Sequence, residues 1–300
     1  GVGGARAALV FGTDRPCAIT HAERVDGDLA PANPDGALHG AWLVEVAELR
    51  GGRGRQGRVQ RQRRGVRAHA WRSAGGPLAQ RREAEVKTAA KILGTTSQVL
   101  DIHDGELLPT LEHRKLITKL IREWHADVVI SHRPWDYHPD HRYVGVLVQD
   151  AAFMVTVPFF CPDVPPLKKN PVFLYSSDGF RKPYPFDPDI AVSIDEVFET
   201  KLAAIHELPS QAYEGGANGS EELVRNIPPE SNPSGRKAWL KERWSGRQSA
   251  EANKARDVLI RLYGEERGKA VKHAETFEIC EYGSRPTGDE LKRLFPFFGE

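Results

Sequence analysis

The apolar run Asp127-Val-Val-Ile-Ser131 leads into Trp135-Asp-Tyr-His-Pro-Asp-His-Arg-Tyr-Val-Gly145, and this junction constrains the fold more than any other part of the chain. A short apolar run bounded by polar residues reads as a buried strand of a parallel sheet. In open α/β sheets, ligands lie beyond the carboxyl ends of strands, which is where the residues after Ser131 fall. Asp136, His138, Asp140 and His141 bring two carboxylates and two imidazoles into six positions there. These are ligand types suited to a catalytic zinc, so the junction points to a metal-assisted hydrolase. The competing reading is a plain turn in which Asp140 caps the next helix. The flanking carboxylates, the place after a strand and the helix-like run over residues 142–153 weigh against it.

Around the junction the chain alternates between the two regular periods. A helix ending at Gly94, with glycine as its C-cap, precedes a short strand over residues 97–103. Leu111, Leu116, Ile117, Leu120, Ile121 and Trp124 form a helical stripe. Residues 172–176, 190–194 and 275–280 read as further strands, with Asp195 as N-cap of a helix to about residue 208. Residues 237–263 read as one long helix. The Pro-rich stretch 158–171 is a surface loop or lid candidate, and residues 215–233 read as a long loop. Such alternation predicts an α/β fold, a Rossmann-like and mainly parallel sheet with helices on both faces.

At the junction the chain resembles a known family. Pro134-x-Asp136-x-His138-Pro139-Asp140-His141-x-x-Val144-Gly145 resembles the second signature of the PIG-L/LmbE family of zinc-dependent N-acetylglucosamine-type deacetylases. Arg82-Glu-Ala-Glu85, in a stretch ending Leu93-Gly94, resembles that family's Arg-x-x-Glu helix. Lys201-Leu-Ala-Ala204 followed by Ser210-Gln211 resembles its Lys-x-x-Ala and Ser-Gln elements. The resemblance covers roughly residues 75–300. It implies His141 as a zinc ligand, and a protonated His138 that stabilises the oxyanion and donates a proton to the leaving amine. It implies Asp140 as the carboxylate that orients His138, and Arg82 and Gln211 as substrate contacts. A salt bridge from Arg82 to Glu85 is the plainer alternative for that arginine. His206 lies close to a histidine position of the family but out of register, so it stays outside the expected site. His132 and His103, each at a strand end, could line the pocket, with a plain capping or core role the preferred reading, and Trp135 and Tyr137 could form a sugar-stacking wall.

The first 75 residues depart from this pattern. The family's first strand runs into Ala-His-Pro-Asp-Asp, which supplies two metal ligands and a general base. The nearest string here is Ala32-Asn33-Pro34-Asp35-Gly36, which keeps Asp35 at the base position but replaces both ligand positions. Residues 1–86 hold fourteen Arg and no Lys, against fourteen of each in residues 87–300, and nine of those Arg fall between Arg50 and Arg72 without one acid. Such a block reads as a nucleic-acid arm, as a solvated disordered arm, or as translation of a GC-rich gene in the wrong frame. The last is preferred because the family pattern resumes abruptly near residue 75. The expected organisation is therefore an aberrant or disordered Arg/Gly-rich region over residues 1–74 and an LmbE-like α/β deacetylase domain over residues 75–300.

Composition narrows the classes further. Three hundred residues suit one large α/β domain or two smaller ones. A net charge of +1 gives the whole chain no polyanion-binding signature, so no nucleic-acid partner is expected. Cys17, Cys161 and Cys280 are too widely spaced for a disulfide scaffold or a zinc knuckle. No apolar run approaches a membrane span, and no signal peptide is visible, which favours a cytoplasmic protein. The leading expectation is a zinc N-deacetylase acting on a small amino-sugar substrate. The alternatives are an inactive relative lacking the N-terminal half of its metal site, and an unrelated α/β protein with an Arg-rich nucleic-acid arm.

Overall fold

The computed structural model describes residues 5–11, 42–49, 77–102, 104–214 and 224–298. Seven strands form one sheet: β1 (Ala5–Phe11), β2 (Trp42–Leu49), β3 (Thr96–Leu100), β4 (Val128–Ser131), β5 (Val172–Ser176), β6 (Ile190–Ser193) and β7 (Ala274–Ile279), in the order β3-β2-β1-β4-β5-β7-β6. β4 pairs in parallel with β1 and β5, while β2 and β7 run antiparallel to both of their neighbours. The α/β architecture is the one expected, but the sheet is mixed. Five strands share one direction and two oppose it. Alternation along the chain cannot reveal this, because β7 comes last in sequence and inserts between β5 and β6.

The strand side chains divide between two faces as the two-residue period requires. Val128, Ile130, Val172 and Leu174 enter a core built with Ala252, Leu259 and Tyr263. These come from α6 (Pro233–Lys254) and α7 (Arg256–Tyr263). Val129, Phe173 and Tyr175 point the other way, onto α2 (Leu111–Trp124) and α3 (Pro139–Met154). Both faces of β4 are thus covered, and burying each of its fully enclosed valines stabilises by about 1.5–3 kcal/mol. α1 (Pro77–Ile92) packs Val86, Ala89 and Leu93 against Ala204 of α4 (Phe198–His206) and Leu208, which precedes α5 (Pro209–Ala212).

Four local expectations change. The long helix over 237–263 breaks at Ala255, which is buried between α6 and α7. Asp195 opens a 3-10 turn but caps no helix; its carboxylate accepts from the backbone N–H groups of Lys272 and His273, at the start of β7. α3 begins at Pro139 with His138, rather than Asp140, as its N-cap. The Pro-rich stretch is no lid. The fully buried guanidinium of Arg122 donates to the carbonyls of Met154, Val155, Val157, Phe160, Cys161 and Val164 and holds that loop in place. The β1 and β2 strands lie within the segment expected to be aberrant, where the sequence carries the short apolar runs Ala7-Ala-Leu-Val-Phe11 and Ala41-Trp-Leu-Val44.

Candidate metal centre

The site forms where β4 ends and α3 begins. Gly145, in the second turn of α3, lets the helix backbone rest on the segment that leaves β4: a Cβ there would meet the carbonyl oxygen of His132 at 2.9 Å and backbone atoms of Arg133 and Pro134 at 3.0 Å. This close approach seats the helix N-terminus directly over His132. The rings of His132 and His141 stack with centroids 4.4 Å apart and 9° between planes.

Asp136 organises the group. Its Oδ1 accepts from Nδ1 of His141 at 3.1 Å and from the backbone N–H of His138 at 3.1 Å. Burial pushes this carboxyl up, but the hydrogen bond and charge of His141 outweigh it and hold the group below the usual carboxylate range. An ionised carboxylate only accepts, so the His141 proton sits on Nδ1 and the lone pair sits on Nε2. A carboxylate that fixes the tautomer and aim of an imidazole is the arrangement found behind metal-ligating histidines. His132, Asp136 and His141 are all buried and their ligand atoms lie within 4.8 Å of one another. The donor set fits a divalent metal of the imidazole-binding kind.

A second group adjoins the first. Asp104, His138 and Asp140 also bring their ligand atoms within 4.8 Å. Asp140 was expected to orient His138 through its carboxylate. Its carboxylate accepts from the backbone N–H groups of Gly105, at 2.7 Å, and Leu107, at 3.2 Å. Burial pushes the Asp140 carboxyl up, against the pull of those two donors and of the His138 ring, which lies close enough to lower its pKa. It is the backbone N–H of Asp140 that meets the ring, donating to Nδ1 of His138 at 3.2 Å. The short distance between a helix start and its own cap favours this N–H over the side chain, which reaches across to the loop after β3. With Nδ1 accepting, the His138 proton sits on Nε2, and that atom faces Oδ1 of Asp104 at 3.4 Å.

The remaining expected residues lie around this pair of groups. Tyr137 stands edge-on to His138 and His141, at 5.9 and 5.7 Å between centroids. Trp135 packs edge-on to Tyr184 at 5.6 Å. Arg82 is buried and its Nε donates to Ser210 Oγ at 3.2 Å; Ser210 in turn donates to Glu85 at 2.6 Å. The direct ion pair to Glu85 belongs to Arg81, at 2.9 Å, which also grips Glu214. Burial lowers the Arg82 pKa, against the attraction of Glu85 and Asp104. Gln211 adjoins this network from α5, with a buried Nε2 that has no hydrogen-bond partner among the described residues. His206 hydrogen-bonds the Tyr213 hydroxyl at 2.7 Å, apart from the histidine cluster. Asn33, Asp35, Gly36 and His103 lie outside the described residues.

Asp104 is the functional candidate that sequence reasoning missed. It follows β3 and precedes Gly105 in the string His103-Asp-Gly-Glu106. A carboxylate just past a strand end, before a glycine of positive φ (81°), was the available signal.

The family comparison covers the histidine cluster and Arg82. Residues 44–152 match the PIG-L family, described as GlcNAc-PI de-N-acetylase. The match begins inside the segment expected to be aberrant and runs through the whole His-Pro-Asp-His element. A diacetylchitobiose deacetylase of Thermococcus kodakarensis is 34% identical over 158 residues, covering 51% of this chain and 58% of that protein. The chain therefore spans a little over half the length of that curated relative. The solved N,N'-diacetylchitobiose deacetylase of Pyrococcus horikoshii, complexed with its inhibitor, aligns over 68% of this chain and 64% of that one at 22% identity, with a TM-score of 0.47. The 4-carboxy-2-hydroxymuconate hydratase GalB of Pseudomonas putida aligns over 75% and 81% at 21% identity and a TM-score of 0.50, which shows a shared fold. The matched pattern runs from β2 through the motif-bearing α3, so over residues 44–152 this chain is similar to the PIG-L family.

Proposed function

We propose that the chain is a zinc-dependent hydrolase that removes the N-acetyl group from an N-acetylglucosamine-type amino sugar or its conjugate. The observation that carries the reading is the buried Asp136–His141 pair, which aims one imidazole nitrogen for metal beside the stacked His132. The site would hold zinc through His141, with His132 and Asp136 as the nearest further donors among the described residues. Zinc there supplies Lewis acidity to the amide carbonyl and to the attacking water. The protein's own groups manage the protons. Asp35 takes the proton from that water. His138 holds a proton on Nε2, facing the charge that develops on the carbonyl oxygen, and delivers it to the amine nitrogen as the C–N bond breaks. Asp104 faces that nitrogen at 3.4 Å, and the Asp140 backbone N–H fixes the ring. Arg82 and Gln211 contact sugar hydroxyls. The diacetylchitobiose for which the Thermococcus relative is named supports the amino-sugar class.

Two other readings have specific observations behind them. Asn33 and Gly36, in place of ligands, favour an inactive relative. A hydroxyl–imidazole–carboxylate line runs from Ser245 through His273, at 3.0 Å, to Asp195, at 2.8 Å. Ser245 lies inside α6, however, where backbone N–H groups are committed to the helix and cannot form an oxyanion hole. No helix among the described residues is long and apolar enough to cross a membrane. The buried, unpaired thiols of Cys161 and Cys280 favour a cytoplasmic setting.

Metal analysis with amine release from N-acetylglucosamine conjugates tests the proposal. About one zinc per chain, lost in His141→Ala together with activity, is the expected result. Absence of both zinc and amine release in the wild-type chain would overturn it in favour of the inactive relative.

A further inference from the structure

Residues 177–189, between β5 and β6, form no regular element and are mostly exposed, yet one side chain holds them along their length. The fully enclosed guanidinium of Arg133 donates to both oxygens of Asp178, at 2.7 and 2.6 Å. It also donates to the carbonyl oxygens of Phe180, at 2.9 Å, and Tyr184, at 3.1 Å. The guanidinium carbon lies 5.3 Å from the centre of the Tyr184 ring and 5.7 Å from that of Phe186. Glu278 of β7 adds to this hold, accepting from the Tyr184 hydroxyl and from the Asp187 N–H, each at 3.1 Å. Burial pushes the Arg133 pKa down, but Asp178 and then Glu278 outweigh it and hold the group above its ordinary value. The planar fork of an arginine can serve a carboxylate and two carbonyls at once, which the point charge of a lysine cannot.

The pin belongs to the motif. Arg133 follows His132 and stands three residues before Asp136. The loop it holds comes back to that stretch: Tyr184 meets Trp135 edge-on at 5.6 Å between centroids, and Phe180 lies 6.5 Å from Tyr137. Trp135 and Tyr137 flank Asp136, so the ring on each side of that carboxylate is backed by a residue of the held loop. Asp136 in turn fixes the tautomer and aim of His141. An exposed irregular segment opens easily unless buried contacts tie it down. Once open, it would let Trp135 and Tyr137 shift, and Asp136 with them. A hydrogen bond weakens steeply with such misalignment.

We infer that Arg133 is a positioning residue for the metal centre: it holds the loop after β5, and the loop holds Trp135 and Tyr137 so that Asp136 aims His141. The inference rests on the metal-binding reading above and adds a residue that acts through others. A merely structural Arg133 would lower stability when replaced and leave metal affinity alone. Arg122 is the internal comparison, since it is equally enclosed but donates to the carbonyls of the loop after α3.

Chelator competition for zinc and limited trypsin digestion, on the full chain well below its unfolding midpoint, test the inference. Arg133→Lys keeps a charge beside Asp178 but not the fork. Arg181 is exposed within the loop, and Lys182 precedes Pro183, a bond trypsin does not cut, so a cut after Arg181 reports the loop's opening. Arg133→Lys should speed that cut and weaken zinc by about tenfold, the lower end of what outer partners of a ligand contribute. Tyr184→Ala leaves the Arg133–Asp178 pair in place and should weaken zinc in the same direction. The double variant should be no weaker than Arg133→Lys, because the two act along one route. Arg122→Lys should lower the denaturant midpoint with zinc affinity unchanged. Wild-type zinc affinity in Arg133→Lys, or in Tyr184→Ala should Arg133→Lys not fold, would overturn the inference. So would additive losses in the double variant, or an equal loss in Arg122→Lys. Absence of zinc from the wild type, with the loop still opened by Arg133→Lys, would instead remove the metal-binding reading on which the inference rests.

Discussion

Asp136 Oδ1 stands 3.1 Å from Nδ1 of His141, and both side chains are almost fully enclosed. That single contact leaves Nε2 as the nitrogen of His141 with which a metal could be bound. Removing the carboxylate frees the ring to rotate or to change tautomer. Outer partners of this kind change metal affinity by roughly 10- to 100-fold. Asp136→Ala should therefore weaken zinc binding by about that factor in a competitive chelator titration. Unchanged affinity would mean that His141 is aimed by something else.

His138 acts, on our reading, only as the reaction proceeds. His138→Gln should lower kcat by about 10²- to 10⁴-fold while KM and bound zinc stay near wild type. Asp104→Asn should move kcat in the same direction by less, because it removes a partner of the ring and leaves the ring in place. Steady-state kinetics with metal analysis on the same samples distinguish the roles. Loss of zinc in His138→Gln would make His138 a ligand.

How much of this was legible depends on the range of each interaction. β4, β5 and β6 could be read because each is a short, largely apolar run whose burial follows from composition, whereas β7 mixes apolar residues with Glu275, Thr276 and Glu278. The insertion of β7 between β5 and β6 could not be read, since nothing within Ala274–Ile279 names its neighbours. The motif marked His138 and His141 as candidates but did not reveal the partners of the neighbouring carboxylates, Asp136 and Asp140. Asp140 turned to a loop more than thirty residues earlier, and the contact to His138 fell to Asp104. Arg122 and Arg133 look like surface residues in a pattern of apolar positions, yet both are enclosed. Their stems and forks are satisfied by carbonyls and by Asp178, partners that only the folded chain assembles.

Gly145 tests the seating of α3. An added methyl at 2.9–3.0 Å from the backbone of His132 to Pro134 must push helix and strand end apart, since no flexible side chain can yield. Overpacking of this kind costs about 1–3 kcal/mol, so Gly145→Ala should lower the denaturant midpoint accordingly. Because the displaced backbone carries His132, zinc affinity should fall as well. A variant with wild-type stability and wild-type zinc affinity would show that the two elements can separate freely.

His206 gives a prediction about pH with a definite sign. Burial lowers its pKa below the ordinary 6.5, helped by the nearby Lys237 and partly opposed by Glu207. Its partner, the Tyr213 hydroxyl, is pushed up to about 12 by burial and so keeps its proton to donate to the neutral ring. The folded state thus prefers uncharged His206. A depressed folded pKa gives stability that is present above 6.5 and lost as pH falls through the lower folded value. His206→Gln cannot gain that charge, and its amide oxygen can still accept from Tyr213. Thermal unfolding of the variant should therefore fall less than that of wild type between about pH 7.5 and pH 5. Since His206 stands apart from the histidine cluster, amine release at neutral pH should be unaffected. A steeper loss in the variant, or a loss of activity without a loss of stability, would return His206 to the site.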